Sequence, residues 1–485
     1  MIDELAVETR RAIPLFGLGN QQRSPFISTV ERINCVVEMT DNGRQQAAIL
    51  GLPGLTSFVD FGDLPARGVF STDNDLTFFV VTGDQIIRAA FNQPPVTIGT
   101  LQTQEGPVWM DSNGRQLFIN DGMDAFIYTF ATNLLTQVED VDFPESARGG
   151  IFLSNRFWVY STDGRVFASD LLDGLSWDGL NFFTPESVPD GIRAIARWFN
   201  DMVVFGTHSI EFWTASSTSV IGGLGFRPIA GANTEVGLEA ELGYASTDQT
   251  LFFMGNSNGQ TGIYELSGYG AKKVSTPQID DVFAKRTTHS TAVATAYTVG
   301  GHPIFQITLP GQTSEVAITM IYDNLSNLWS FRRSYEQPYY RGLFATRSTD
   351  SVYITDAFVG KIHKMVEDVY TEDGNIFPFE VTGMHLLKEG DDLAIAEISV
   401  DIETGLGIPV GQGDNPQGML QISKDGGHVW WSEVWVLLGK IGDYRRRAVR
   451  RRIGSARDIA VRFRITDPIP RRVTGAYMRL VAGQS

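Results

Sequence analysis

Cysteine is all but missing from this 485-residue chain: Cys35 stands alone, so neither an internal disulfide framework nor a cysteine-built zinc site can form within one chain. Cys35 itself reads as a small buried hydrophobe. Histidine is nearly as sparse. His208, His289, His302, His363, His385 and His428 form no HxxxH pair and no cluster with carboxylates at metal-ligand spacing, which leaves them as isolated turn and strand residues. No run of about 18 apolar residues occurs, so no membrane-spanning segment is expected. The first residues, MIDELAVETRR, open with acids and lack an apolar core, so no secretory signal is expected and the product reads as soluble and cytosolic. G-x-S-x-G, the P-loop and G-x-G-x-x-G are absent. The Gly-rich stretch IGGLGF at 221–226 has no helix after it to receive a phosphate. No cofactor, no metal and no catalytic residue is expected.

What the chain has in abundance is a phrase: an apolar strand, a Gly-bearing polar turn and a second apolar strand. Its plainest copy is NRFWVYSTDGRVFA, 155–168. Phe157 and Val159 point one way and Trp158 and Tyr160 the other, so both faces are apolar and the strand is buried between layers. Asp163-Gly164 supplies the turn. The phrase returns around Leu76, Leu117, Met202, Leu251 and Val352, with a looser copy at Ile304. Successive copies lie roughly 40 to 50 residues apart, which is the spacing of propeller blades with about four strands each. With 42% hydrophobic residues, 50 Gly and 31 Phe, the composition suits a strand-rich fold with many turns.

The expectation is therefore all-β: a β-propeller over 66–372, of seven blades or alternatively six, with an appended antiparallel β-sandwich-like domain over 373–485. Strands of that domain are expected near 377–384, 394–402, 419–423, 448–453, 459–466 and 474–480. Residues 1–65 read as an irregular docking arm, with a frayed terminus as the plainer alternative.

Charge is unevenly placed. The segment 430–485 holds thirteen basic residues against four acidic ones, a net +9, so residues 1–429 carry −26 of the total −17. Such asymmetry suggests different partners for the two ends. The basic end centres on Arg445, Arg446, Arg447, Arg450, Arg451 and Arg452. Three readings stay open for this run: a subunit or partner interface, a DNA-backbone contact, or plain solvated surface. It alternates with Val449 and Ile453, which puts it on a strand with one face inward, and it lacks interleaved aromatics for base stacking.

Ser423 to Trp430 (SKDGGHVW) matches S-x-D-x-G-x-x-W, the Asp box of sialidases and other β proteins. Asp425 can hold backbone N–H groups of a turn, and Gly426 and Gly427 permit left-handed backbone. The motif braces a hairpin rather than doing chemistry. A sialidase would also need an arginine trio and a Tyr/Glu pair, and nothing in the spacing of Arg193, Arg197, Tyr160 and Glu211 singles them out. An enzyme is not expected.

Taken in order, several phrases give the chain a family likeness: Ser24-Pro25-Phe26 with Arg32-Ile33-Asn34, Pro53-Gly54-Leu55, Pro189-Asp190-Gly191-Ile192, Phe205-Gly206 through Ile210-Glu211, Gly268-Tyr269 with Val274-Ser275, Gly301-His302-Pro303, Trp329 near Arg332, and Gly442 to Arg445 through Arg452 to Gly454. The chain resembles the tail hub or nozzle proteins of short-tailed phages, the packaged-DNA stabilisation or head-completion family. Cys35, and Pro303-Ile304 after Gly-His, depart from the family pattern. The resemblance implies a structural virion protein of the tail, assembled in the host cytoplasm. It implies a homohexameric ring below the portal and its adaptor or connector, closing the head and extending the DNA channel. The partners implied are further copies of the chain, the adaptor, a tail fibre or spike, a tail plug or needle, and packaged DNA that passes without sequence-specific binding. The alternative is a sialidase-like or glycan-binding propeller.

Overall fold

The stretch Phe157 to Tyr160 shows how the core is made. All four side chains are buried, yet they serve two different cores: Phe157 and Val159 pack with Phe118 and Ile127 of the preceding sheet, while Trp158 and Tyr160 pack with Ile195, Met202 and Trp213 of the following one. A strand apolar on both faces is what a stack of sheets requires, because each sheet buries both sides. Its strand, Arg156–Tyr160, pairs antiparallel with Arg148–Leu153 and Val166–Asp170, and the latter pairs with Asp173–Phe183. Gly164 turns the hairpin at φ +86°, as the Asp-Gly dipeptide predicts.

In the computed structural model, residues 9–13, 30–39, 47–73, 76–185, 190–216, 225–247, 250–311, 315, 317–383, 386–387 and 393–480 are described. Ser24-Pro25-Phe26, Pro189, His385 and most of the Gly-rich stretch at 221–226 lie outside them. Among the described residues, antiparallel four-stranded units follow one another at 66–100, 109–137, 148–183, 192–234, 237–273 and 293–332, and a further unit combines 342–366 with Gly54–Gly62. The innermost strand of the fifth unit is broken into Gly237–Leu238 and Tyr244–Ser246. The loosely phrased copy at Ile304 is a complete unit, Val293–Val299, His302–Leu309, Ile318–Asp323 and Leu328–Arg332. Inner strands adjoin in cyclic order until Gly342–Ser348 meets Ala66–Ser71. There Ser71 Oγ lies 2.6 Å from Thr346 Oγ1 and donates to the Arg347 carbonyl at 2.8 Å, and Ser348 Oγ donates to the Thr72 carbonyl at 2.8 Å. These hydroxyls, with the Thr349 N–H donating to the Asp73 carbonyl at 3.0 Å, join the first unit to the last. One α-helix occurs among the described residues, Pro277–Ala284, seated by Ile279 and Phe283 between the fifth and sixth units.

The first 65 residues, expected as an arm, are divided between both domains in their described parts. Gly54–Gly62 is the outer strand of the last unit, antiparallel to Gly360–Val366. Cys35–Met39 and Ala47–Gly51 join a sheet of the C-terminal domain, and Thr9–Ile13 lies along Arg472–Leu480. The reason is apolar surface: Leu55 and Val59 fill cores of the propeller, whereas Cys35, Val37 and Ile49 fill that of the sandwich. Burial pushes the Cys35 thiol up to about 12, so it stays a neutral hydrophobe.

The C-terminal domain is a two-sheet sandwich. One sheet runs Cys35–Met39, Ala47–Gly51, Arg472–Leu480, Leu393–Ile402, Ala448–Ala456; the other carries Phe379–Thr382, Asp458–Ile465, Gln417–Ser423 and Val434–Leu437. Ile398, Val400, Leu420, Ile422, Val461 and Phe463 meet between them.

The two domains share a sheet. Glu31–Ile33 runs parallel to the outer strand of the sixth unit (Ile33 opposite Phe331) and antiparallel to Phe379–Thr382, so one ladder continues from propeller into sandwich. Asn34, fully buried at φ +57°, fastens it. Its Nδ2 donates to the carbonyls of Arg333 (2.8 Å) and Pro378 (2.7 Å), and its Oδ1 accepts from the Arg333 N–H at 3.0 Å. Asparagine is among the few side-chain-bearing residues that take the left-handed backbone at modest cost, and here its amide also satisfies backbone groups of both domains.

Candidate subunit and partner interface

The arginine run begins in the loop before Ala448–Ala456 and continues along that strand, an edge of the first sandwich sheet. Ala448 and Ile453 point inward; Val449 does not. The expected inward alternation at Val449 is corrected by a bulge. Opposite Glu397 stands Arg451, opposite Ile395 stands Gly454, and Arg452 between them takes φ +59°. The bulge resets the phase, so Ala448 and Ile453 both face the core although five residues apart, and Val449 joins Arg447 and Arg451 on the outer face.

The six arginines consequently separate. Arg450 is half-buried and donates from Nη1 to the Leu420 carbonyl of the opposite sheet at 3.2 Å; burial lowers its pKa. Arg446 bonds Asp443 Oδ2 at 3.0 Å, Arg447 lies 3.9 Å from Asp401 Oδ1, and Arg451 bonds Glu397 Oε2 at 3.0 Å. Arg445 and Arg452 are exposed. A shallow concavity of about 730 Å³ gathers Arg445, Arg446, Arg447 and Arg451 with Trp435 and Leu437, its only acids being Glu397 and Asp443. It keeps a basic surplus.

Beside the arginines lies an apolar surface that sequence reasoning missed. Trp435 is 60% exposed, Ile441 61% and Tyr444 71%, with Trp431 and Val434 also open. Trp435 sits on Val434–Leu437, which among the described residues pairs only with Gln417–Ser423 and so forms the free edge of its sheet. VWVLL at 434–438 reads as a buried strand by pattern, although only Val436 and Leu438 are buried. Exposed Trp and Tyr beside Arg is the composition of protein-interface hot spots.

The Asp box adjoins this surface and is structural. Ser423 Oγ donates to Asp425 Oδ1 at 2.6 Å and accepts from the Gly427 N–H at 2.8 Å, and Val429 N–H donates to Asp425 Oδ1 at 2.9 Å. Those bonds hold the Asp425 carboxyl below its usual range. Trp430 lies under the Arg462 guanidinium at 4.0 Å.

Two of the propeller residues weighed for glycan chemistry serve its frame. Tyr160 is buried and donates its hydroxyl to the Arg193 carbonyl at 2.6 Å, while Glu211 accepts from Trp213 Nε1 at 3.2 Å. Arg193 and Arg197 lie exposed on the inner strand of the fourth unit. His302 and His363 each bond a buried aspartate, Asp323 and Asp356, at 2.9 Å. Among the described residues no group of three or more His, Cys, Asp or Glu is placed to hold a metal ion, and no helix is long and apolar enough to cross a membrane.

Comparison with solved structures returns chains of low similarity. YCF48 bound to D1 peptide is 14% identical, with 68% of this chain and 98% of that one covered and a TM-score of 0.39. The WD40 β-propeller domain of Doa1 is 10% identical, with 64% and 96% covered and a TM-score of 0.40. The computationally designed Ika8 protein is 11% identical, with 70% and 100% covered and a TM-score of 0.38. No curated protein matches the chain. Family models are decisive: one described as bacteriophage P22 Gp10, beta-propeller, matches residues 11–370, and one described as bacteriophage P22 Gp10, beta-sandwich, matches residues 378–481. With both domains matched in the order in which the fold presents them, the chain belongs to the bacteriophage P22 Gp10 family of phage stabilisation proteins, a structural component of the virion.

Proposed function

We propose that this virion protein is a tail hub. Copies of it form a ring below the portal and its adaptor, closing the filled head and extending the DNA channel, and it has no catalytic role. The observation that carries this reading is the sheet shared through Glu31–Ile33 and locked by Asn34. A ladder that continues across a domain boundary makes propeller and sandwich one stiff block, as a sealing component under the pressure of packaged DNA requires. The charge pattern supports it. A body at −26 repels phosphates and lets duplex pass without sticking, while the basic, aromatic edge of the sandwich has the composition of a contact for protein. The adaptor, a tail fibre or spike and a plug or needle are the partners the reading names, together with DNA passing without sequence recognition.

The test is reconstitution on DNA-filled heads that lack the protein. Added protein is expected to attach below the adaptor and to slow loss of DNA. The triple substitution Arg445→Glu, Arg446→Glu, Arg447→Glu is expected to lose attachment or ring formation with the fold intact. Full attachment and sealing by that variant would remove the interface assignment, and failure of the unaltered protein to associate with the adaptor would remove the hub reading.

A further inference from the structure

A second exposed surface of mixed character lies on the propeller, and its charge is opposite. The strand Asp173–Phe183 is the outer edge of the third unit, paired among the described residues only with Val166–Asp170 through irregular register. Against it lies the connection 139–145, held by Asp140, whose Oδ2 accepts from the Trp177 N–H at 3.0 Å and whose Oδ1 accepts from the Asp142 N–H at 3.0 Å. Gly179 lets the loop lie flat: a Cβ there would sit 3.0 Å from Asp142 Oδ1. The result is one contiguous patch in which Val141, 96% exposed, and Leu180, 74% exposed, stand among the exposed carboxylates of Glu139, Asp142 and Asp178. None of these three has an ion-pair partner among the described residues.

Among the sheet edges that expose apolar side chains, one is thus ringed by acid and one by arginine. Two copies cannot bring either surface against itself, since a two-fold contact would press like charges together. Each surface complements the other. We infer that the acidic, aliphatic edge of the third unit of one copy receives the basic, aromatic edge of the sandwich of the next, Trp435 and Tyr444 packing on Val141 and Leu180 while Arg445 to Arg447 meet Glu139, Asp142 and Asp178. This inference rests on the hub reading and names the faces through which its copies join. A contact of this kind is heterologous, and heterologous contacts generate rings when the rotation closes. Unpaired edges are also where a chain is open to association.

The test is charge exchange in the full chain, read by sedimentation velocity, with circular dichroism to establish folding. One variant carries Arg445→Glu, Arg446→Glu, Arg447→Glu and another carries Glu139→Lys, Asp142→Lys, Asp178→Lys. Each alone is expected to sediment as a monomer under conditions where the unaltered chain assembles, alone or on its adaptor ring. An equimolar mixture of the two, and a single chain carrying all six changes, are expected to recover assembly. Assembly by either variant alone, or no recovery from the folded pair, overturns the inference. So does an unaltered chain that never self-associates yet binds a duplex oligonucleotide through the three arginines. Should recovery fail while the chain is still found in purified tails, the pairing falls and the hub reading stands; absence from tails removes both.

Discussion

Replacing Asn34 by alanine tests whether propeller and sandwich are one mechanical unit. The side chain accepts one backbone hydrogen bond and donates two, to Arg333 and Pro378, on either side of the domain boundary. Asn34→Ala takes this partner from two carbonyls and one N–H, around a side chain that is itself fully buried. An unpaired buried polar group costs about 1–3 kcal/mol. Alanine at φ +57° adds roughly 1–2 kcal/mol over a residue at ease in the left-handed region. Neighbouring losses do not add fully, so a destabilisation of about 4 kcal/mol is expected, at the upper end for single substitutions. Urea unfolding followed by tryptophan fluorescence is the assay, because Trp329 lies at the joint, its carbonyl accepting from Arg32. The expected result is a lowered midpoint and separation into two transitions, with limited proteolysis cutting between the domains. Asn34→Gly is the control: it accepts the backbone angle, so it should recover only the conformational part. A variant Asn34→Ala with one transition at an unchanged midpoint would refute the claim that this side chain joins the domains.

Three other outcomes follow from the same structure. Glu372 is buried beside Arg332 and Arg341, and burial pushes its carboxyl up from 4.5 to about 7. A raised acid pKa stabilises the folded state below about pH 4.5 and loses that contribution as pH rises through 7, so Glu372→Gln should flatten the fall in thermal stability between those values and gain ~3 kcal/mol at pH 8; an unchanged pH profile would count against the buried, proton-favouring site. Gly54→Ala places a Cβ 2.2 Å from the Thr371 carbonyl oxygen and should cost about 3 kcal/mol by forcing the closing strand away, seen as faster amide exchange along Gly360–Val366. Asp425→Ala should lower the thermal-unfolding midpoint slightly by freeing the Ser423 hydroxyl and the Val429 N–H of an exposed turn, while hydrolysis of a fluorogenic sialoside stays at background for variant and unaltered chain alike.

The repeating units were legible because their strands pair with neighbours a few residues away and must be apolar on both faces, as Phe157 to Tyr160 are. Sandwich strands that alternate clearly, such as Asp458–Ile465 and Arg472–Leu480, were legible for the related reason that one face is buried. The closing and linking strands were not. Gly54–Gly62 and Glu31–Ile33 find their partners across most of the chain, Asn34 bonding a residue 299 positions away, and nothing local in Pro53-Gly54-Leu55 or Arg32-Ile33-Asn34 names that partner. The basic end was legible by residue type alone. Which arginines face outward depends on the bulge at Arg452, and Trp435 looks buried in any pattern because its strand is an edge only in three dimensions.

Cryo-electron microscopy of the virion tail at side-chain resolution tests the central claim most directly. The expected image is a closed ring of this chain coaxial with the portal, each propeller and sandwich related as the shared sheet fixes them, with the Trp435 and Arg445 to Arg447 surface buried against protein. Single peripheral copies, or a ring in which that surface faces solvent, would contradict it.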